Sequence, residues 1–186
     1  MIEIVNVGPH WAIGKQGQLL ILLPPDMQFF RKTTRFKTCI MGRATLESFP
    51  RSAPLKDRKN IVLTREKWRI PPQAFAAAEA DKAAGRTTEL IAVRSVEEAL
   101  AAVKGIPEDD VFVIGGASVY RLFLPYCDTC LVTHNDFPSD GADAFFPDLL
   151  ASGEWKLIEE GEPQTYEGIG FRFCRYERTR AGEREL

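Results

Sequence analysis

Val111-Phe112-Val113-Ile114-Gly115-Gly116-Ala117-Ser118-Val119-Tyr120 is a run of β-branched and aromatic residues that stops at two glycines and restarts with helical spacing. A strand read there ends on a turn whose backbone N–H groups, with the following helix N-terminus, suit an anion such as a phosphate. Glycine turns are common after strands, so the meaning of this one depends on its company. Met41-Gly42-Arg43-Ala44-Thr45 follows a strand pattern at residues 37–41 and opens a helix at 43–48. It gathers free N–H groups, a guanidinium and a hydroxyl into one turn. Thr64-Arg65 sits at the end of a strand pattern at 60–64. Open α/β sheets collect ligands outside the carboxyl ends of their strands. Three anion-friendly strand ends on one edge therefore suit a dinucleotide, and Arg43 and Arg65 suit one additional phosphate on it.

Apolar strand patterns recur at 2–7, 90–93, 129–134, 155–160 and 170–177, with helical patterns between the earlier ones. Residues 8–18 read as a glycine-containing loop. Residues 25–34 read as a helix with Pro25 and Asp26 in its first turn and Arg31 and Lys32 toward its end. Ser95-Val96-Glu97-Glu98 is a capping box that opens a helix at 96–104. A second helix covers 119–124 and is stopped by Pro125. Residues 71–85 are alanine-rich and read as a surface helix or an insertion. Alternation of strands and helices followed by strands alone predicts an α/β fold. The expected architecture is one three-layer domain over 1–178: a mostly parallel sheet with an antiparallel C-terminal edge and helices on both faces. A charged tail, 179–186, is expected to fray.

With 186 residues, 45% of them hydrophobic, the chain can bury a single good core. A net charge of −2 offers no basic field for nucleic acid or an anionic membrane. The basic residues that cluster in the first third fit a small anionic ligand better than a polymer. The aliphatic run Leu19-Leu20-Ile21-Leu22-Leu23 ends at Pro24-Pro25, far short of the roughly 20 residues of a spanning helix. Residues 1–7 read as a first strand and not as a signal peptide. Cys127-Asp128-Thr129-Cys130 has metal-like spacing with His134 nearby, but a zinc site takes about four ligands and the chain has two histidines. Its four cysteines read as buried thiols in a reducing cytoplasm, with no metal expected.

Asp26 is the acidic residue that stands out, in an apolar stretch from Leu19 to Phe30. On a helix, Asp26 and Phe30 (i, i+4) share a face. A carboxylate beside aromatics is costly to bury unless a ligand edge or a hydroxyl meets it, and burial raises its pKa. A solvated first-turn Asp, stabilised by the helix dipole, is the plainer alternative.

Along nearly its full length the chain resembles the bacterial type of dihydrofolate reductase. The resemblance is carried by Trp11-Ala12-Ile13-Gly14, Leu23-Pro24-Pro25-Asp26-Met27 with Phe29-Phe30, and Met41-Gly42-Arg43 with Thr45, Glu47 and Ser48. It continues through residues 58–64, the box at Ser95, Val113-Ile114-Gly115-Gly116 with Val119-Tyr120, Thr133-His134, and Asp143 with Phe146-Pro147. It implies an NADPH-dependent reductase of 7,8-dihydrofolate that acts as a monomer on a small-molecule substrate. Asp26 is then the acidic active-site residue that bonds the pterin and promotes its protonation, with Thr133 as its hydroxyl partner. Ile4, Val5, Met27, Phe30, Phe49, Leu55, Ile114 and Tyr120 are the implied substrate contacts, and Arg58 the partner of the glutamate α-carboxylate. The implied cofactor contacts are Asn6 (through backbone), Ile13, Gly42, Arg43, Ala44, Thr45, Leu63, Thr64, Arg65, Arg94, Ser95, Gly115, Gly116, Ala117, Ser118, Val119 and Tyr120. The Gly115–Gly116 bond is implied to be cis.

The chain departs from the family's pattern in places. Ile21 stands where the family usually has Trp, and Asn6 where a small apolar residue is common. Residues 51–53 and 75–86 read as insertions. Two other readings share the fold: a pyrimidine reductase of riboflavin synthesis, which generally lacks the Pro-x-Asp helix, and a nucleotide-binding protein without catalysis.

Overall fold

A computed structural model describes residues 1–66 and 69–179. All of the charged tail after Thr179 lies outside the described residues. Among the described residues the main sheet has nine strands. Along it lie β10 (Trp155–Glu160), β12 (Ile169–Arg178), β8 (Thr129–Asn135), β1 (Ile2–Val7), β7 (Val111–Val113), β4 (Thr38–Gly42), β5 (Lys59–Leu63) and β6 (Glu89–Val93) in spatial order, and β11 (Gln164–Tyr166) pairs with β12. Strands β8, β1, β7, β4, β5 and β6 run parallel, whereas β10, β11 and β12 add antiparallel pairings at one edge. This is the architecture the alternation of elements predicts.

Side chains alternate across β1 and sort the core into two layers. Val5 and Val7 join Val113, Val119, Tyr120, Phe123, Cys130 and Val132 on one face. Helices α4 (Val96–Ala102) and α5 (Ala117–Phe123) cover that face with Ala99, Val119 and Phe123. Ile2 and Ile4 turn the other way and meet Phe112, Phe29, Phe30, Ile114 and Leu131. Helices α1 (Pro24–Thr34), α2 (Arg43–Ser48) and α3 (Pro72–Ala83) lie on this second side, where Leu46 and Ala74 pack with Cys39, Met41 and Val62. The alanine-rich stretch is therefore a helix that buries Ala74 and Ala78.

Residues 8–18 are not a plain loop. They contain a hairpin of β2 (Ala12–Lys15) and β3 (Gln18–Leu19), and β2 also pairs with β9 (Ala144–Phe145). Gln16 and Gly17 both have positive φ, 51° and 75°, which a two-residue hairpin turn of this kind requires. Helix α5 begins at Ala117, directly after the glycine pair and two residues before the expected start.

Candidate active site

Asp26 lies in the first turn of α1, behind two prolines that preset the helical φ. Helix α1 crosses the β1–β8 side of the sheet, and the ring of Phe29 packs on Phe173 of β12 with centroids 4.6 Å apart. That crossing brings Asp26 over two parallel neighbours in register, Asn6 and Thr133. Asn6 Nδ2 donates to Asp26 Oδ2 at 3.2 Å. Burial pushes the Asp26 pKa up, while the Thr133 hydroxyl beside it and the Asn6 amide pull it back. The carboxyl is thus sheltered and hydrogen-bonded, and is not a solvated helix-dipole aspartate.

An apolar wall continues from this carboxyl. Ile4, Phe30 and Ile114 belong to one cluster, and Ile114 also touches the cluster holding Phe49 and Leu55. Two of the expected wall residues sit otherwise: Val5 points its side chain into the opposite core layer, and Met27 is 43% exposed. At the far end of α1, Arg58 is buried and braced on three sides. Its Nε donates to Thr34 Oγ1 at 3.0 Å, Nη2 to Arg31 O at 2.8 Å, and Nη1 to Lys56 O. Each terminal nitrogen keeps one more N–H, so the guanidinium is held in orientation with its fork still able to bind a carboxylate.

Asn60, which sequence reasoning missed, sets this corner. Its side chain accepts from Leu55 N and shares its two N–H groups among Leu55 O, Arg58 O and Glu89 O, all within 3.0 Å. An Asn near the start of an apolar strand pattern was the available signal, since such a group must find partners when buried.

The parallel strands place the expected cofactor contacts along one edge. Gly42, Leu63 and Val93 are successive register partners at the carboxyl ends of β4, β5 and β6, and Gly115 and Gly116 follow β7. The Gly115–Gly116 peptide is cis. Gly42 N donates to Gly115 O at 2.8 Å, tying two strand ends together. A Cβ on Gly42 would stand 3.1 Å from Val119, and one on Gly115 would stand 2.8 Å from the Tyr120 ring. At both positions a side chain packs directly on the backbone, in the space a Cβ would need. The Tyr120 hydroxyl is not free for a ligand, because it donates to Ile4 O at 2.8 Å in the core.

Around this edge Arg43 pairs with Glu47 one helical turn on, and Thr45 lies with its hydroxyl 3.5 Å from where a Gly116 Cβ would be. The Thr64 hydroxyl donates to Glu66 O, Arg65 is exposed, and Ala44 and Ser118 are exposed on their helices. Ser95 caps α4 by accepting from Glu98 N, and Arg94 N donates to Glu98 Oε2. Ile13 is buried at the base of the β2–β3 hairpin. That hairpin is clamped by Asp143: Gln16 N donates to its carboxylate, and Asp143 N donates to Gly14 O.

All four cysteines are free and buried. Burial raises the thiol pKa of Cys127 and Cys130, and of Cys39 to about 12, which keeps them protonated and inert. His134 Nε2 is engaged with the Tyr176 hydroxyl at 2.9 Å. No helix among the described residues is long and apolar enough to cross a membrane.

Comparison with known proteins points the same way. The dihydrofolate reductase family model matches residues 1–178. The dihydrofolate reductase of Mycobacterium tuberculosis is 36% identical over 169 residues, 83% of this chain and 91% of that protein. That of Bacillus subtilis is 35% identical over 170 residues, 89% and 87% of the two chains. Among solved structures, the Enterococcus faecalis dihydrofolate reductase complexed with NADP(H) and RAB-propyl superposes with a TM-score of 0.74 at 26% identity, covering 96% of each chain. The sheet order, the Asp26 corner and this agreement over the whole described domain have one meaning: the chain belongs to the dihydrofolate reductase family.

Proposed function

We propose that this protein reduces 7,8-dihydrofolate to 5,6,7,8-tetrahydrofolate with NADPH, adding hydride at C6 and a proton at N5. The observation that carries the proposal is Asp26, a half-buried carboxyl with a raised pKa beside the apolar wall of Ile4, Phe30 and Ile114. A pterin presents one edge with adjacent N–H donors and a flat apolar face, and this corner complements both. Asp26 accepts from that edge and holds the ring in place. Burial raises its pKa, so this carboxyl takes up a proton more readily than a solvated aspartate and can promote protonation of the substrate. Thr133 and Asn6 orient the carboxyl, and the braced Arg58 fork takes the carboxylate of the substrate's glutamate.

The strand-end edge fits an anionic dinucleotide: glycines admit close approach at residues 42, 115 and 116, and Arg43, Thr45, Arg65, Arg94 and Ser95 supply cations and hydroxyls beside them. NADPH, when bound there, supplies the hydride. The protein's own part is to hold the two ligands against each other, with Tyr120 fixing β1 to α5, and to keep bulk water from the apolar wall. The proposal extends to a monomer in the cytoplasm whose product serves one-carbon transfer.

Loss of NADPH absorbance with dihydrofolate is the assay. Asp26→Asn is expected to lose most of kcat near neutral pH and to recover part of it as pH falls, because substrate protonated in solution no longer needs the carboxyl. Full activity of that variant at about pH 8 would contradict the role given to Asp26.

A further inference from the structure

We propose that Asn6 and Asn135 form a positioning relay for Asp26: Asn135 fixes which end of the Asn6 amide faces the carboxylate, and Asn6 holds that carboxylate with a donated N–H. The inference rests on the reading of Asp26 given above and deepens it.

The polarity of the relay follows from main-chain groups that have no alternative role. Phe137 N can only donate, and it donates to Asn135 Oδ1 at 2.9 Å. Val7 O can only accept, and it accepts from Asn135 Nδ2 at 3.0 Å. Those two bonds leave the Asn135 amide one orientation. Its second N–H is then aimed at Asn6 Oδ1, 2.7 Å away. With its oxygen so occupied, Asn6 has its Nδ2 left for Asp26 Oδ2. Asn135 is buried, which holds the relay away from competing water.

The same register that pairs Asn6 with Thr133 sends both side chains toward α1. The groups facing Asp26 are the Asn6 amide from β1, the Thr133 hydroxyl from β8 and, within electrostatic reach, the Tyr120 phenol of α5. All are neutral. An amide donor favours the ionised carboxylate without adding a counter-charge that would hold it ionised at every pH. Asn6 therefore tunes how readily Asp26 takes a proton, and it does so from a position that touches Asp26 and not the reacting atoms.

The test compares Asn6→Ala and Asn135→Ala with the unaltered protein. One readout is the pH dependence of kcat/KM for dihydrofolate. A second, independent of turnover, is carboxyl titration of Asp26 followed by infrared difference spectroscopy on the NADPH-bound enzyme, with Asp26→Asn to assign the band. Loss of one donor to a carboxylate corresponds to about one pH unit. Asn6→Ala is expected to move both midpoints upward by about that amount. Asn135→Ala is expected to move them the same way by less, because the Asn6 amide is then free to turn over. If Asn135→Ala fails to fold, Asn6→Ala still decides, since it leaves Asn135 on its two main-chain partners. Unmoved midpoints, or a downward shift, would overturn the relay. If instead Asp26→Asn has the same pH–rate profile as the unaltered protein, the catalytic reading of Asp26 fails while the titration still judges the relay.

Discussion

Glu3 is fully buried between β7 and β8, beside Val113 and Cys130, and neither carboxyl oxygen has a hydrogen-bond partner among the described residues. Burial pushes its pKa well above the ordinary value, opposed by the attraction of Arg178. That guanidinium is itself spent on Leu124 O, Cys127 O and Glu154. A carboxyl with a raised folded pKa binds its proton more tightly in the folded state. Its contribution to stability is therefore full below the unfolded pKa and is lost as pH rises toward the folded one.

Glu3→Gln removes the titration and keeps the shape, whereas Glu3→Met also removes the unpaired polar group. An unsatisfied buried polar group costs about 1–3 kcal/mol. At about 2–4 °C per kcal/mol for a chain of this size, Glu3→Met is expected to raise Tm by roughly 2–12 °C near neutral pH. Glu3→Gln is expected to match the parent in acid and to exceed it increasingly as pH rises, by at most about 1.4 kcal/mol per pH unit. Thermal and urea unfolding from about pH 4.5 to 9 is the assay. Parallel stability curves for the parent and Glu3→Gln, or a less stable Glu3→Met at every pH, would refute the reasoning.

Two further perturbations probe the substrate and cofactor sides. Arg58→Lys keeps the charge but loses the planar fork and its three braces, so KM for dihydrofolate should rise about tenfold with kcat little changed, as steady-state kinetics would show. Gly115→Ala sets a methyl 2.8 Å from the Tyr120 ring at a φ of 103°; NADPH affinity measured by fluorescence titration should fall at least about tenfold, and the fold should be destabilised by about 1–3 kcal/mol.

Much of this was legible in the sequence because the signals were local. The β7 run, the glycine pair, the Pro-Pro-Asp opening of α1 and the Ser95 capping box each fix a few adjacent residues, and all four lie where they were expected. The β2–β3–β9 sheet was not legible, since a two-residue strand cannot display alternation; only the Gln16-Gly17 turn hinted at it. Asn6 was expected to act through its backbone, and its side chain's role depends on how α1 crosses β1 at a separation of 20 residues. Asn60 and Glu3 are polar residues within apolar strands, and sequence alone does not distinguish one with four bonds from one with none. Arg43 was expected as a phosphate contact; its pairing with Glu47 is a helical i, i+4 contact that the sequence also offered.

The edge of strand ends and the Asp26 corner should act together on one substrate. Incubation of the purified protein with dihydrofolate and NADPH deuterated at the transferable position, read by mass spectrometry, tests it most directly. Tetrahydrofolate carrying one deuterium, in equal amount to the NADP formed, is expected, with the yield at neutral pH collapsing in Asp26→Asn. Bound NADPH without turnover, or oxidation of NADPH with no tetrahydrofolate, would contradict it.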